Sequence, residues 1–149
     1  MTEFINNVSW SGKFETINAA AGHQLYESRW LRNTQYAKDY INFWARQDDK
    51  SGFRYSEWIT DAAWATFLMN SDKEFITAQL DGWVKSYRLW DKTNFEPNLG
   101  LYFITPILDA QEYSAASVQT KDKHGGGLGY RPSFNSELYA NANAIINNN

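Results

Sequence analysis

Two acidic residues lie close together in a segment that also carries several aromatic side chains. Asp109 and Glu112 are three positions apart, so they share a face if the segment forms one helical turn. Hydrolysis of a glycosidic bond uses such a pair of carboxyl groups, one of which has a raised pKa and donates a proton. Tyr113, Tyr102 and Phe103 offer a desolvating surface and a stacking face for this chemistry. Composition alone favours the simpler interpretation that both carboxylates are solvated in a loop.

A third carboxylate lies within an apolar segment. Asp61 follows Trp58 by three positions in a stretch dominated by tryptophan, alanine and other apolar residues. A buried carboxylate costs several kcal/mol unless it is paired or hydrogen-bonded. One interpretation is that Asp61 points toward a helix end or pairs with a cation such as Arg54. The functional interpretation is that Asp61 lines the floor of a pocket beside Trp58 and accepts hydrogen bonds from a polyol ligand.

Few residues are available for other kinds of active site, because the chain has two histidines and no cysteine. Without cysteine there is no disulfide framework, thiolate metal site or thiol nucleophile. His23 and Glu27 are too few ligands for zinc and predict a structural hydrogen bond on one helix face. His124 precedes three glycines, which predict a flexible turn because the serine elbow of an esterase is missing. We therefore predict no metal site and no cofactor.

The composition is that of one globular domain with an excess of aromatic residues. The chain has 149 residues, of which 43% are hydrophobic and 21% charged, and this excludes disorder. A net charge of −3 without a basic stripe argues against a nucleic-acid partner. No apolar run is long enough for a membrane helix, and the first residues lack the pattern of a secretory leader, so no membrane partner is expected and the compartment is left open. Aromatic residues make up 17% of the chain and favour stacking against flat apolar ligand faces.

Hydrophobic periodicity predicts about five helices and one long loop. The helices cover about residues 15–32, 34–46, 57–69, 71–90 and 131 to the last residues. Apolar residues surround the third helix almost completely, so we expect it to be buried on most sides. A capping box from Ser71 to Glu74 predicts the start of the fourth helix. Residues 91–132 carry the prolines and glycines of a loop, with a short extended piece at 101–104, and an irregular segment of this length is typical of a functional loop.

These elements predict an all-α fold of antiparallel helical hairpins whose loops gather at one end. A helix buried on nearly all sides needs more cover than four partner helices supply. We therefore expect residues 1–149 to form a single unit that is part of a larger helical assembly.

Three segments form an ordered series along the chain. They are residues 55–64 (YSEWITDAAW), 109–114 (DAQEYS) and 129–139 (GYRPSFNSELY). In order and spacing this series resembles the trehalase-like (α/α)₆ glycoside hydrolases, the group that includes glycoside hydrolase family 63 and the mannosylglycerate hydrolases. The resemblance implies that the chain is a partial (α/α)₆ barrel, from the N-terminal part of a catalytic domain of twelve helices.

The resemblance also implies an inverting glycosidase that acts on an oligosaccharide or glycoside. Glu112 occupies the position of the general acid, and Asp109 is its rival because the acid of this family is normally an aspartate. The family's general base lies in the C-terminal half of the barrel and has no counterpart here. The substrate-binding residues that the resemblance implies are Trp58, Asp61, Tyr113, Arg131, Asn135 and Tyr139.

Besides the carbohydrate substrate, the expected partner is the missing half of the barrel or a second copy of the chain. The alternative function is that of a non-catalytic helical module. Such a module binds carbohydrate without cleaving it, or uses exposed aromatic side chains to bind another protein.

Overall fold

The computed structural model describes residues 18–46, 56–104 and 129–148, and within these ranges the chain is mostly helical. A small antiparallel hairpin of β1 (Phe95–Glu96) and β2 (Leu101–Tyr102) precedes the last helix. The predicted all-α class is therefore confirmed. The helices are α1 (Asn18–Ser28), α2 (Gln35–Ala45), α3 (Ile59–Asn70), α4 (Lys73–Thr77), α5 (Leu80–Asn94) and α6 (Pro132–Asn148).

Helices α1 and α3 pack side by side and run in the same direction. Trp58, directly before α3, lies against Gly22 of α1. Farther along both helices, Asp61 accepts a hydrogen bond from the Tyr26 hydroxyl. Because the contacts advance together along the two helices, α1 and α3 are parallel.

Helix α6 packs against the other side of α3, again in a parallel orientation. The Asn141 side chain, in the middle of α6, bonds to the main chain of Asp61 in the first turn of α3. At the end of α6, the Asn148 side chain bonds to the carbonyl of Ile76, which follows α3 in the chain. Helices α1, α3 and α6 therefore form one layer, with α3 in the centre.

Helix α2 and the α4–α5 segment form the second layer. Lys38 of α2 makes an ion pair with Asp72 at the start of α4. Near the end of α2, the Ala45 carbonyl lies so close to Gly82 of α5 that a Cβ atom at Gly82 would be 2.1 Å from the Ala45 oxygen. Only a glycine fits at this crossing.

Two apolar clusters hold the layers together. The first lies between α1, α2, α3 and the start of α5, and the second joins the end of α5 to α6 and the hairpin. The fully buried aliphatic and aromatic side chains of the first cluster include Leu25, Ile41 and Ile76, and those of the second include Ile104, Phe134 and Leu138.

The predicted capping box at the start of the fourth helix is wrong by one residue. Asp72, not Ser71, is the N-cap, and its carboxylate accepts a hydrogen bond from the Phe75 amide at 3.1 Å. Ser71 has a φ of 59° and ends α3 in the left-handed conformation. The carboxylate of Asp72 is held in place by Lys38, which lowers its pKa more than the Phe75 amide does.

The predicted loop over 91–132 starts later than expected. The last turn of α5 includes Asp91 to Asn94, and the Asn94 side chain then donates to the Phe103 carbonyl at 2.8 Å. The hairpin bears out the extended piece predicted for 101–104. Ile104 pairs with Gly129 through two main-chain hydrogen bonds, and this bridge leads into α6. The part of the predicted loop between these two residues lies outside the described residues.

Helix α3 is less buried than its composition predicts. Its first half is buried, but Leu68 is 61% exposed and Met69 is 49% exposed. The expectation of burial on most sides is therefore wrong for the second half of α3. None of the described helices combines the length and the apolar character that a membrane crossing requires.

Candidate functional site

Trp58 and Asp61 lie at the start of α3, where three helices meet. Trp58 is the N-cap residue and Asp61 is in the first turn, near the positive end of the helix dipole. One carboxylate oxygen of Asp61 (Oδ2) accepts the Tyr26 hydroxyl. The other oxygen (Oδ1) bonds to none of the described residues. Asp61 thus lies at a helix end, while Arg54, its suggested ionic partner, lies outside the described residues.

The hydroxyl of Tyr26 is kept protonated by its surroundings. Burial is the main cause that raises the pKa of Tyr26, and the hydrogen bond to Asp61 raises it further. The Arg29 guanidinium lies over the Tyr26 ring, 4.9 Å from its centroid. Tyr26 therefore acts as a fixed donor to one oxygen of the Asp61 carboxylate.

The indole ring of Trp58 rests on α1. A Cβ atom at Gly22 would lie 2.7 Å from two atoms of this ring, so the glycine allows the close approach. The His23 ring meets Trp58 edge-on, with 4.7 Å between the centroids. His23 does not bond to Glu27, so the predicted structural hydrogen bond between them is wrong. The histidine is exposed and contacts the tryptophan instead.

Beneath Trp58 and Asp61 lies a buried polar network that connects α6 to α3. Asn141 is 2% exposed, and its carbonyl oxygen accepts the Asp61 amide at 3.1 Å. Its amide nitrogen donates to the Glu57 carbonyl and to Glu57 Oε1, at 3.1 and 3.2 Å. Glu57 Oε2 in turn accepts the Ile59 amide at 2.7 Å. Burial raises the pKa of Glu57, while the bonds from Ile59, Asn141 and Trp90 lower it to a lesser degree.

Stability should depend on pH through Glu57. In the unfolded state Glu57 loses its proton near pH 4.5, the ordinary pKa of a glutamate. In the folded state the raised pKa means that the carboxyl group loses its proton only at a higher pH. The free energy of unfolding therefore falls as pH rises from 4.5 to the raised pKa, by up to about 1.4 kcal/mol per pH unit for one proton. Glu57→Gln removes this dependence. Urea unfolding between pH 4 and 8 checks this, and parallel pH profiles for the two proteins contradict it.

Asn135 and Tyr139 lie on the first half of α6, and Arg131 directly precedes this helix. The Asn135 side chain accepts the Tyr102 amide and donates to the Tyr102 carbonyl, each at 2.9 Å. It thus fixes β2 to α6. The Arg131 side chain lies against Gly129, with its Nε 3.1 Å from the position of a Cβ atom there, and Tyr139 is 70% exposed. A substrate contact by any of the three stays a prediction.

The geometry brings some of the predicted residues together and leaves others untested. Trp58 and Asp61 lie within one helical turn at the start of α3. Asn135 lies on α6, six residues before the Asn141 that bonds to Asp61, which is about 9 Å along the helix axis. Asp109, Glu112 and Tyr113 lie outside the described residues. Over residues 18–46, 56–104 and 129–148, no group of three potential metal ligands is present.

Three residues of the site were not identified from the sequence: Tyr26, Glu57 and Asn141. For Asn141 a signal was available. The sequence pattern predicts that the apolar stripe of α6 runs through Phe134, Leu138, Ala142 and Ile145, whereas the buried face includes Phe134, Leu138, Asn141 and Ala144. A polar residue within an apolar stripe indicates a buried hydrogen bond.

Comparisons with known proteins agree with this architecture. The sequence model described as "Mannosylglycerate hydrolase MGH1-like glycoside hydrolase domain" matches residues 13–148. A solved structure described as a sialidase is similar, with a TM-score of 0.77 and 35% sequence identity. The alignment covers 97% of this chain and 13% of that chain, so this chain spans only a small part of the length of that protein. Comparison with curated protein sequences finds no match.

Proposed function

The chain belongs to the family of mannosylglycerate hydrolase MGH1-like glycoside hydrolase domains, and on this premise we propose that it forms the sugar-binding and proton-donating side of a glycosidase active site. Family membership supports a glycosidase-like function and a carbohydrate substrate in general. The observation that carries the proposal is the arrangement of Asp61, which has one oxygen bonded to Tyr26 and the other without a partner among the described residues.

Asp61 and Trp58 have the chemistry of a sugar subsite. A carboxylate oxygen accepts hydrogen bonds from sugar hydroxyl groups, and bonds to a charged group are worth about 1.5–3 kcal/mol. The indole of Trp58 offers an apolar face for the C–H groups of a sugar ring. Because Tyr26 and Asn141 hold Asp61 from two helices, its second carboxylate oxygen has a fixed direction.

The proposed reaction is hydrolysis with inversion. Glu112, in its protonated form, donates its proton to the glycosidic oxygen as the bond to the anomeric carbon breaks. A water molecule attacks the anomeric carbon from the opposite face and gives its proton to a carboxylate base. We assign that base to a part of the protein beyond these 149 residues, and Asp109 is the rival of Glu112 as the acid. Tyr113, Arg131, Asn135 and Tyr139 are proposed to shape the same subsite.

Exposed apolar residues of α3 and α6 fit a unit that other helices cover. Leu68 and Met69 of α3 and Tyr139 and Ile146 of α6 are each at least 49% exposed. Exposed apolar surface of this kind often marks an interface. We propose that further helices of the same barrel, or a second copy of the chain, pack on these residues.

Sugar binding by the chain tests the proposal. Mannosylglycerate is titrated into the 149-residue chain by calorimetry, with sialyllactose as a second ligand because the similar solved structure is described as a sialidase. Asp61→Asn keeps the shape of the side chain but replaces one acceptor oxygen by a donor. We expect it to raise the Kd at least about tenfold, a loss of about 1.4 kcal/mol.

The matched control is Asp81→Asn. Asp81 is also in the first turn of a helix, α5, but it is exposed. The Asp81 variant is expected to bind sugar as the unaltered chain does. An unaltered Kd in the Asp61 variant, or no binding of either sugar by the unaltered chain, contradicts the proposal.

A further inference from the structure

Asn141 and Glu57 form hydrogen bonds at the start of α3, next to Trp58 and Asp61, the residues proposed to bind the sugar. We propose that Asn141 is a positioning residue, which orients the Trp58 indole and the Asp61 carboxylate by fixing the first turn of α3 to α6. This inference rests on the proposed function, since it assigns a role in the same site to a residue that does not itself contact the sugar.

Both polar atoms of the Asn141 side chain bond to the segment on either side of Trp58. The carbonyl oxygen accepts the Asp61 amide, and the amide nitrogen donates to the carbonyl and the carboxyl group of Glu57. An asparagine buried without partners costs about 1–3 kcal/mol. Here the same side chain holds α3 in one register against α6, because all its bonds are made only in that register.

The first turn of α3 needs partners from outside the helix. The first amide groups of a helix have no partner within it, and the side chain of the N-cap residue, Trp58, makes no capping bond. Glu57 supplies an acceptor to the Ile59 amide, and Asn141 supplies one to the Asp61 amide. Because these two residues bond to the first amide groups of the helix, the Trp58 side chain is not needed as a cap and packs on α1 instead.

The Asp61 carboxylate is fixed by two helices acting on different parts of the residue. Tyr26 of α1 bonds to the side chain, and Asn141 of α6 bonds to the main chain. If Asn141 is removed, Tyr26 still holds one carboxylate oxygen, but the turn that carries Asp61 and Trp58 loses its attachment to α6. We therefore expect a change in the direction of both side chains and not only a loss of stability.

The test uses Asn141→Leu, which keeps the branched outline and the number of heavy atoms of the side chain and removes its hydrogen bonds. Leu138→Ala is the matched control, because Leu138 is fully buried on the same helix but belongs to the cluster with Trp90, Ile104 and Phe134. The first readout is NMR spectroscopy of the labelled 149-residue chain without ligand. It follows the indole N–H resonance of Trp58 and the ring resonances of His23. The second readout is the Kd for mannosylglycerate.

We expect Asn141→Leu to shift the Trp58 and His23 resonances and to raise the Kd about tenfold. Leu138→Ala should lower the melting temperature at least as much, yet leave these resonances in place and the Kd within about twofold. Gly22→Ala serves as a positive reference for a displaced indole, because its Cβ would lie 2.7 Å from the Trp58 ring. Asn141→Ser, whose hydroxyl is too short to reach α3, is the second variant if the leucine prevents folding.

The two readouts separate the inference from the proposed function. Unchanged Trp58 and His23 resonances in the Asn141 variants overturn the positioning role, whatever the sugar titration gives. Equal shifts in Leu138→Ala overturn it as well, because they reduce the effect to general destabilisation. Shifted resonances in a chain that binds no sugar support the positioning of α3 by Asn141 and contradict the proposed function.

Discussion

Glu112→Gln is expected to lower kcat by about a hundredfold or more in the longer glycosidase that we propose contains this chain, measured with mannosylglycerate as substrate. Glutamine keeps the shape of the side chain but has no acidic proton to give to the glycosidic oxygen. A hundredfold loss corresponds to about 2.7 kcal/mol of transition-state stabilisation. Such a loss is the expected share of a general acid.

The leaving group provides the control for this prediction. The dinitrophenolate of a dinitrophenyl glycoside leaves as a stable anion and needs no proton from an acid. The Glu112→Gln enzyme should therefore hydrolyse such a glycoside at close to the normal rate. Asp109→Asn is the matched variant, three positions away in the same segment. The assignment of Glu112 is wrong, and Asp109 is the acid, if Asp109→Asn loses kcat with mannosylglycerate but not with the dinitrophenyl glycoside while Glu112→Gln keeps both activities.

Gly82→Ala is expected to destabilise the fold strongly. In most helices alanine is favoured over glycine by about 1 kcal/mol. At this position, however, the added Cβ would lie 2.1 Å from the carbonyl oxygen of Ala45. The atom it meets belongs to the main chain, so α2 and α5 must move apart. We expect a net loss of about 2–3 kcal/mol and a melting temperature lowered by about 6–9 °C.

Gly100 provides the comparison for Gly82. It has a φ of +65° in the turn of the hairpin, and nothing lies within 4 Å of the position of its Cβ. Asparagine tolerates this conformation, so Gly100→Asn should change the free energy of unfolding by less than about 1 kcal/mol. A Gly82→Ala protein that melts at or above the normal temperature contradicts the packing of α5 on α2.

The helices were predictable from the sequence wherever one apolar face decides the structure. In α2, helical spacing predicts one apolar face of Tyr36, Ala37, Tyr40, Ile41 and Trp44. All of these are buried except Tyr36, which is 53% exposed. The predictions failed where local side-chain bonds decide the boundaries. Asp72 competes with Ser71 for the same helix start, and only the geometry after α3 selects the aspartate.

The site could be predicted only where a motif carries it. Trp58 and Asp61 were predicted as substrate-binding residues because they lie in one short segment, and that role stays a prediction. Tyr26 is 35 positions from Asp61, and Asn141 is 84 positions from Glu57. Contacts between residues so far apart depend on the register of α1 and α6 against α3, which hydrophobic periodicity does not specify. The polar residue within the stripe of α6 indicated a buried bond but not its partner.

We propose that Trp58 and Asp61 share one carbohydrate site with the acidic segment around Glu112. Chemical-shift mapping of the labelled 149-residue chain during titration with mannosylglycerate tests it directly. The largest changes should occur at the Trp58 indole and at the amides of Asp61 and residues 109–113, while the Trp83 indole, 3% exposed in the first apolar cluster, stays unchanged. Changes centred on Trp30, which is 63% exposed, or changes at Trp58 with none at residues 109–113, would contradict the claim.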